Sequence, residues 1–224
     1  MRKILVLIDG YNFYHKLREF QHRFNRCVKW LNYNDLIKCY FDDYEDFEFE
    51  YFYFSAIAEF KGEDTINKHK TYIEALKNEG IKVVLGKFKE KTIFRCKCNE
   101  KCKNCNNIPD KTPIIKHEEK NTDVNIAITL IEKAINKEYE KCYIVSSDSD
   151  FNTAIKRAKE IYPQGSITLA PPPQVDNKNR KKMYFIDGIK NLTGTKPLFV
   201  SWKNILNSQF PDEYCGLKNP WKTE

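Results

Sequence analysis

The sequence predicts an α/β fold, a central parallel sheet with helices on both faces. Three observations predict it. Strand-like and helix-like segments alternate from residue 3 to residue 170, an order that builds parallel sheets through right-handed crossovers. The first apolar run, Lys3-Ile-Leu-Val-Leu-Ile8, is continuous rather than alternating, as in a strand covered on both faces. Acidic residues then follow strands, at Asp9 and at Asp148 and Asp150, and parallel α/β sheets bind their ligands beyond the carboxyl ends of strands.

The elements follow in order. Asp9-Gly10 ends the first strand, and residues 11–24 and 34–41 have helical spacing. Residues 47–58 (FEFEYFYFSAIA) are aromatic and β-rich, with alternation at the start. Residues 63–78 read as a helix with Gly80 as its C-cap, and residues 81–85 as the next strand. Between 87 and 113 a polar, Cys-rich stretch breaks the pattern and reads as an insert. A helix over 121–138, a strand over 142–146, a helix over 150–161 and a last strand over 166–170 complete a domain of residues 1–170. Pro171-Pro-Pro173 cannot continue a sheet. Residues 171–224 therefore read as a linker and C-terminal extension, whose Phe185, Ile186, Leu192, Phe199, Trp202, Ile205 and Leu206 are expected to pack back onto the domain.

At 224 residues, 41% hydrophobic and 31% charged, the chain can bury a sizeable core and has the composition of a soluble globular protein. The longest apolar run, Ile4 to Ile8, is too short to span a bilayer, and Asp9 interrupts it before a signal-peptide core can form. A cytoplasmic location and no membrane partner are expected. The net charge of +7 is unevenly spread: residues 87–105 carry 7 basic against 2 acidic groups, and 171–224 carry 9 against 5. Basic charge gathered on an insert and a tail suits a phosphate-bearing partner, and solubility alone is the rival explanation.

If the first strand and the strand over 142–146 are neighbours, Asp9, Asp148 and Asp150 converge with Asp123, which opens the helix near Asn121. Several anions at one place need a cation or raised pKa values. Mg2+ or Mn2+ suits such oxygen ligands and can lower the pKa of a water for attack on a phosphodiester. Helix capping is the plainer account of Ser149, Asp150 and Asp123; it does not call for Asp9.

Asp9-Gly-Tyr-Asn12, Glu119-Lys-Asn-Thr-Asp123-Val and Ser146-Ser-Asp-Ser-Asp150-Phe together resemble the three motifs of the NYN domain, the LabA-like branch of the PIN-like nucleases. The resemblance spans about residues 3–170. It implies a PIN-like three-layer sandwich, divalent-metal binding and cleavage of RNA. Carried over, it makes Asp9, Asp123 and Asp148 the metal carboxylates and Asp150 a further acid. Asn12 would orient a ligand or water, Lys120 would stand at a basic position of the family, and Ser146 or Ser147 would line the site. Tyr11, beside Asp9, could stack an unpaired base. His15 and His117 flank the motifs and could contact phosphate, although a lone His is more often a packing or solvent residue. One position departs: many relatives have an acid where this chain has Thr129.

Cys96, Cys98, Cys102 and Cys105 lie in one short stretch whose other residues are Lys, Asn and Glu. Four thiolates suit a structural tetrahedral Zn2+; reduced thiols or disulfides are the alternatives. Lys91, Arg95, Lys97, Lys101 and Lys103 would surround it as a phosphate-contacting arm. The leading expectation is thus a metal-dependent endoribonuclease, against a non-catalytic RNA-binding module. A phosphatase of the haloacid-dehalogenase kind would need an acid where Tyr11 stands. The oligomeric state is open, a homodimer being one option.

Overall fold

The computed structural model describes residues 2–42, 44–96, 111–174 and 191–222. Five parallel strands form the central sheet, in the order β3-β2-β1-β6-β7, from β1 (Arg2–Asp9), β2 (Phe47–Ser55), β3 (Lys82–Leu85), β6 (Lys141–Val145) and β7 (Ser166–Leu169). The central position of β1 explains its unbroken apolar run. Ile4, Val6 and Ile8 enter the core on one face of the sheet and Leu5 and Leu7 the core on the other, because successive side chains point to opposite faces.

The first core is covered by α1 (Gly10–Phe24), α2 (Tyr33–Lys38) and α3 (Glu63–Asn78), through Phe13, Leu17, Tyr33, Leu36, Tyr72 and Leu76. The second is covered by α4 (Thr122–Ile135) and α5 (Asn152–Ile161), through Ile126, Leu130, Ala134, Ile155 and Ala158. The result is three layers. Each fully buried side chain of this kind contributes about 1.5–3 kcal/mol relative to exposure.

The described ends of the stretch 87–113 are strands rather than loop. Residues of β4 (Lys87–Cys96) and β5 (Lys111–Lys120) pair antiparallel along their whole length, from Lys87 opposite Lys120 to Cys96 opposite Lys111. A two-stranded ribbon has two free edges, so Pro113 is tolerated within it. Gly86 fixes the ribbon to the body: its N–H donates to the Ser55 carbonyl at 2.8 Å, and a Cβ on it would stand 2.5 Å from the Lys120 carbonyl oxygen.

Beyond the sheet, α6 (Trp202–Asn207) and two short strands, β8 (Glu213–Tyr214) and β9 (Leu217–Lys218), lie in the C-terminal segment. Val200, Ile205 and Phe210 are buried in the first core, and Trp202 stacks on Phe20 at 4.2 Å. Phe210 N–H donates to the Trp30 carbonyl, and Trp30 Nε1–H donates to the Pro211 carbonyl at 2.7 Å. Leu192 and Leu206 pack on the two cores, whereas Phe199 stays 45% exposed. Phe185 and Ile186 lie outside the described residues.

Candidate active site

Asp9 ends β1 beside the end of β6, since Ile8 pairs with Val145, and Ser146 follows directly. The two strand ends are joined by hydrogen bonds. Ser146 Oγ donates to Asp9 Oδ2 at 2.8 Å and accepts from the Asp148 N–H at 3.0 Å. Asn12 Oδ1 accepts from the N–H and the hydroxyl of Ser147 at 3.3 and 3.1 Å, and Asp148 Oδ1 accepts from the Asp150 N–H at 3.0 Å. Asn12 therefore holds the loop after β6. Gly10 is required at this turn, because a Cβ there would stand 2.3 Å from the Tyr53 ring.

Capping works the other way round from expectation. Asp9 is the N-cap of α1, its Oδ1 accepting from the Asn12 N–H at 3.0 Å. Neither α4 nor α5 has a side-chain cap bond: their caps are Asn121 and Phe151. Asp123, in the first turn of α4, and Asp150 are left with their carboxylates outward.

Asp123, Asp148 and Asp150 come together: one carboxylate oxygen of each lies within 4.8 Å of the other two. Asp9, 3% exposed, sits beneath them. Burial pushes its carboxyl up to about 6; the Asn12 N–H and Ser146 hydroxyl pull it down, and the charges of Asp123 and Asp148 push it up. Asp123 is likewise raised, by burial and by Asp148 and Asp150.

A fifth carboxylate, which the sequence reading passed over, is Glu119. It accepts a hydrogen bond from the buried Thr122 hydroxyl. Burial first, then the charges of Asp9 and Asp123, raise it to about 7. Its signal was present, as the first residue of the Glu119-Lys-Asn-Thr-Asp123 stretch. Among the described residues no Lys or Arg forms an ion pair with any of the five.

The other expected site residues are spread more widely. Tyr11 packs edge-on to His15 at 4.5 Å and near Phe88 at 5.8 Å. Lys120 is tied to Glu118 at 3.2 Å, on the β5 face opposite Glu119. Arg95 and Cys96 close β4; their side chains, with Lys97, Cys98, Lys101, Cys102, Lys103 and Cys105, lie outside the described residues.

A family model of the NYN domain matches residues 3–187. The chain belongs to the NYN domain family. Neither the curated proteins nor the solved structures give a match. The NYN domain is nuclease-like and PIN-like, and its five-stranded parallel sheet, flanking helices and acidic cluster are those described above. No helix among the described residues is long and apolar enough to cross a membrane.

Proposed function

We propose that this NYN protein is a metal-dependent endoribonuclease that hydrolyses RNA phosphodiesters at the Asp cluster. The observation that carries the reading is the gathering of Asp123, Asp148 and Asp150 within 4.8 Å at the carboxyl edge of the sheet. Two further raised carboxyls, Asp9 and Glu119, stand against them with no basic partner among the described residues. Acids placed so repel one another, and a hard divalent cation with oxygen ligands is the counter-charge that fits.

Asp123, Asp148 and Asp150 would hold Mg2+ or Mn2+, which when bound supplies positive charge to the phosphate and a more acidic water. Asp9 acts through Ser146, whose hydroxyl bridges it to the Asp148 backbone, and so holds the ligand loop in place. Glu119, titrating near 7, is poised to take a proton from the attacking water at neutral pH. Cys96, Cys98, Cys102 and Cys105 would carry a structural Zn2+, leaving no open position for chemistry.

The rival reading, an RNA-binding module without catalysis, draws support from Thr129, where many relatives have an acid. Labelled RNA incubated with Mn2+ and the protein, beside an Asp148→Asn variant, decides. Cleavage by the native chain that falls at least a hundredfold in the variant supports the nuclease; equal cleavage by both, or none by either, defeats it.

A further inference from the structure

Next to the acidic cluster lies a cleft of about 690 Å³ with a different chemistry. Gly10 and Tyr11, which directly follow Asp9, form one wall; Phe60, after β2, and His117, on β5, form another. The two sites share an edge, since Gly10 and Tyr11 open the helix that Asp9 caps. His117 is parallel to Phe60, with ring centroids 3.7 Å apart and planes at 11°. Phe88 stands edge-on to both Phe60 and Tyr11. Phe60 nonetheless keeps 40% of its surface exposed, with the Lys61 ammonium 5.5 Å over its ring.

The charge in the cleft is opposite to that of its neighbour. Arg18, Lys29, Lys61 and Lys116 line it, and the one carboxylate that lines it among the described residues, Asp64, is taken by Lys68 at 2.7 Å. Aromatic faces among cations, in a volume that seats a ligand of nucleotide size, are the means by which proteins hold unpaired bases together with their phosphates. A duplex cannot use them, because its bases already stack on one another.

We infer that this cleft binds an unpaired nucleotide of the RNA, its base stacked at the Phe60–His117 pair and its phosphates on the lysines, next to the phosphodiester held at the Asp cluster. The inference deepens the nuclease reading and rests on it for the identity of the polymer. It makes the site selective for single-stranded segments, and it assigns Phe60, which no motif contains, to substrate binding.

The test uses the full chain in EDTA, where metal-dependent cleavage is off. The probes are a ten-nucleotide single-stranded RNA with a central 2-aminopurine and a hairpin RNA with the same modification in its stem. Native protein should quench 2-aminopurine in the single strand but not in the stem. Phe60→Ala should abolish the quenching and weaken single-strand binding about tenfold, while hairpin binding and melting temperature stay the same. Phe60→Tyr should restore both signals. Single-strand affinity within twofold of native in Phe60→Ala, or equal loss for both probes, overturns the inference. The nuclease reading fails separately: quenching without any Mn2+-dependent cleavage leaves the cleft and removes the enzyme.

Discussion

Asp9 is placed where an ionised carboxylate is costly. A carboxyl moved from 3.8 to about 6 destabilises the metal-free fold by about 3 kcal/mol at neutral pH, since each pH unit is worth about 1.4 kcal/mol. The sign follows from proton binding. Between about pH 4 and 6 the folded chain holds a proton on Asp9 that the unfolded chain has released, so stability falls as pH rises through this window and stays low above it. Glu119, raised to about 7, extends the same trend. The melting temperature of metal-free protein should therefore drop from pH 5 to pH 8, and Asp9→Asn should flatten the profile, because an amide can still accept from the Asn12 N–H. A cation bound by ionised carboxylates reverses the trend. Mn2+ should raise the melting temperature more at pH 8 than at pH 5, and cleavage should climb as pH passes through 6 to 7. A profile that is the same in Asp9→Asn removes the buried charge as its cause. At this scale the motif acids were legible, because Asp after a strand is a local pattern. Glu119 was legible only as the first residue of its motif: its raised carboxyl comes from burial and from Asp9 and Asp123, which only the folded chain brings near.

The elements that carry a face towards two cores could be read from apolar spacing, and α3 and β1 show why: Tyr72, Ile73 and Leu76 recur at helical intervals, and Ile4 to Ile8 form an unbroken run. The β4–β5 ribbon escaped the same reading. It lies outside the main sheet, half of its residues are charged, and with no layer packed over both faces nothing imposes an apolar period on it. The pairing of Lys87 with Lys120 through Cys96 with Lys111 is set by backbone hydrogen bonds across a long separation in sequence. The turn at Gly86 then decides where the ribbon stands. Gly86→Ala puts a Cβ 2.5 Å from the Lys120 carbonyl and 2.8 Å from Thr122 Oγ1, the hydroxyl that holds Glu119. Overpacking of this kind costs about 1–3 kcal/mol. The variant should melt lower in denaturant titration and cleave RNA more slowly, with the pH profile shifted because Glu119 has lost its donor. Unchanged stability and pH profile would mean that the ribbon is attached elsewhere.

Across the whole molecule, the strand order decides what meets. With β1 between β2 and β6, one edge of the sheet gathers the Asp cluster at the β1–β6 end and the aromatic cleft at the β1–β2 end, so a strand of RNA crossing the edge passes from one to the other. The acids repel that strand until a cation binds; the attraction must come from elsewhere. The excess of basic charge lies in 87–105 and in 171–224, whereas 1–86 and 106–170 are near neutral. Phosphate contacts made by such lysines release counterions, so binding should weaken steeply as salt rises. Replacing Lys97, Lys101 and Lys103 together by Gln should lower the slope of log affinity against log salt by about 2 for single-stranded RNA, at about 0.7 for each contact removed. The same triple change should leave the 2-aminopurine quenching at low salt intact, because stacking at Phe60 does not depend on these charges. Binding isotherms across a salt series check both halves. A slope equal to that of the native chain means that these three lysines serve solubility, and the phosphate contacts must then be sought on the cleft lysines, Lys29 and Lys61.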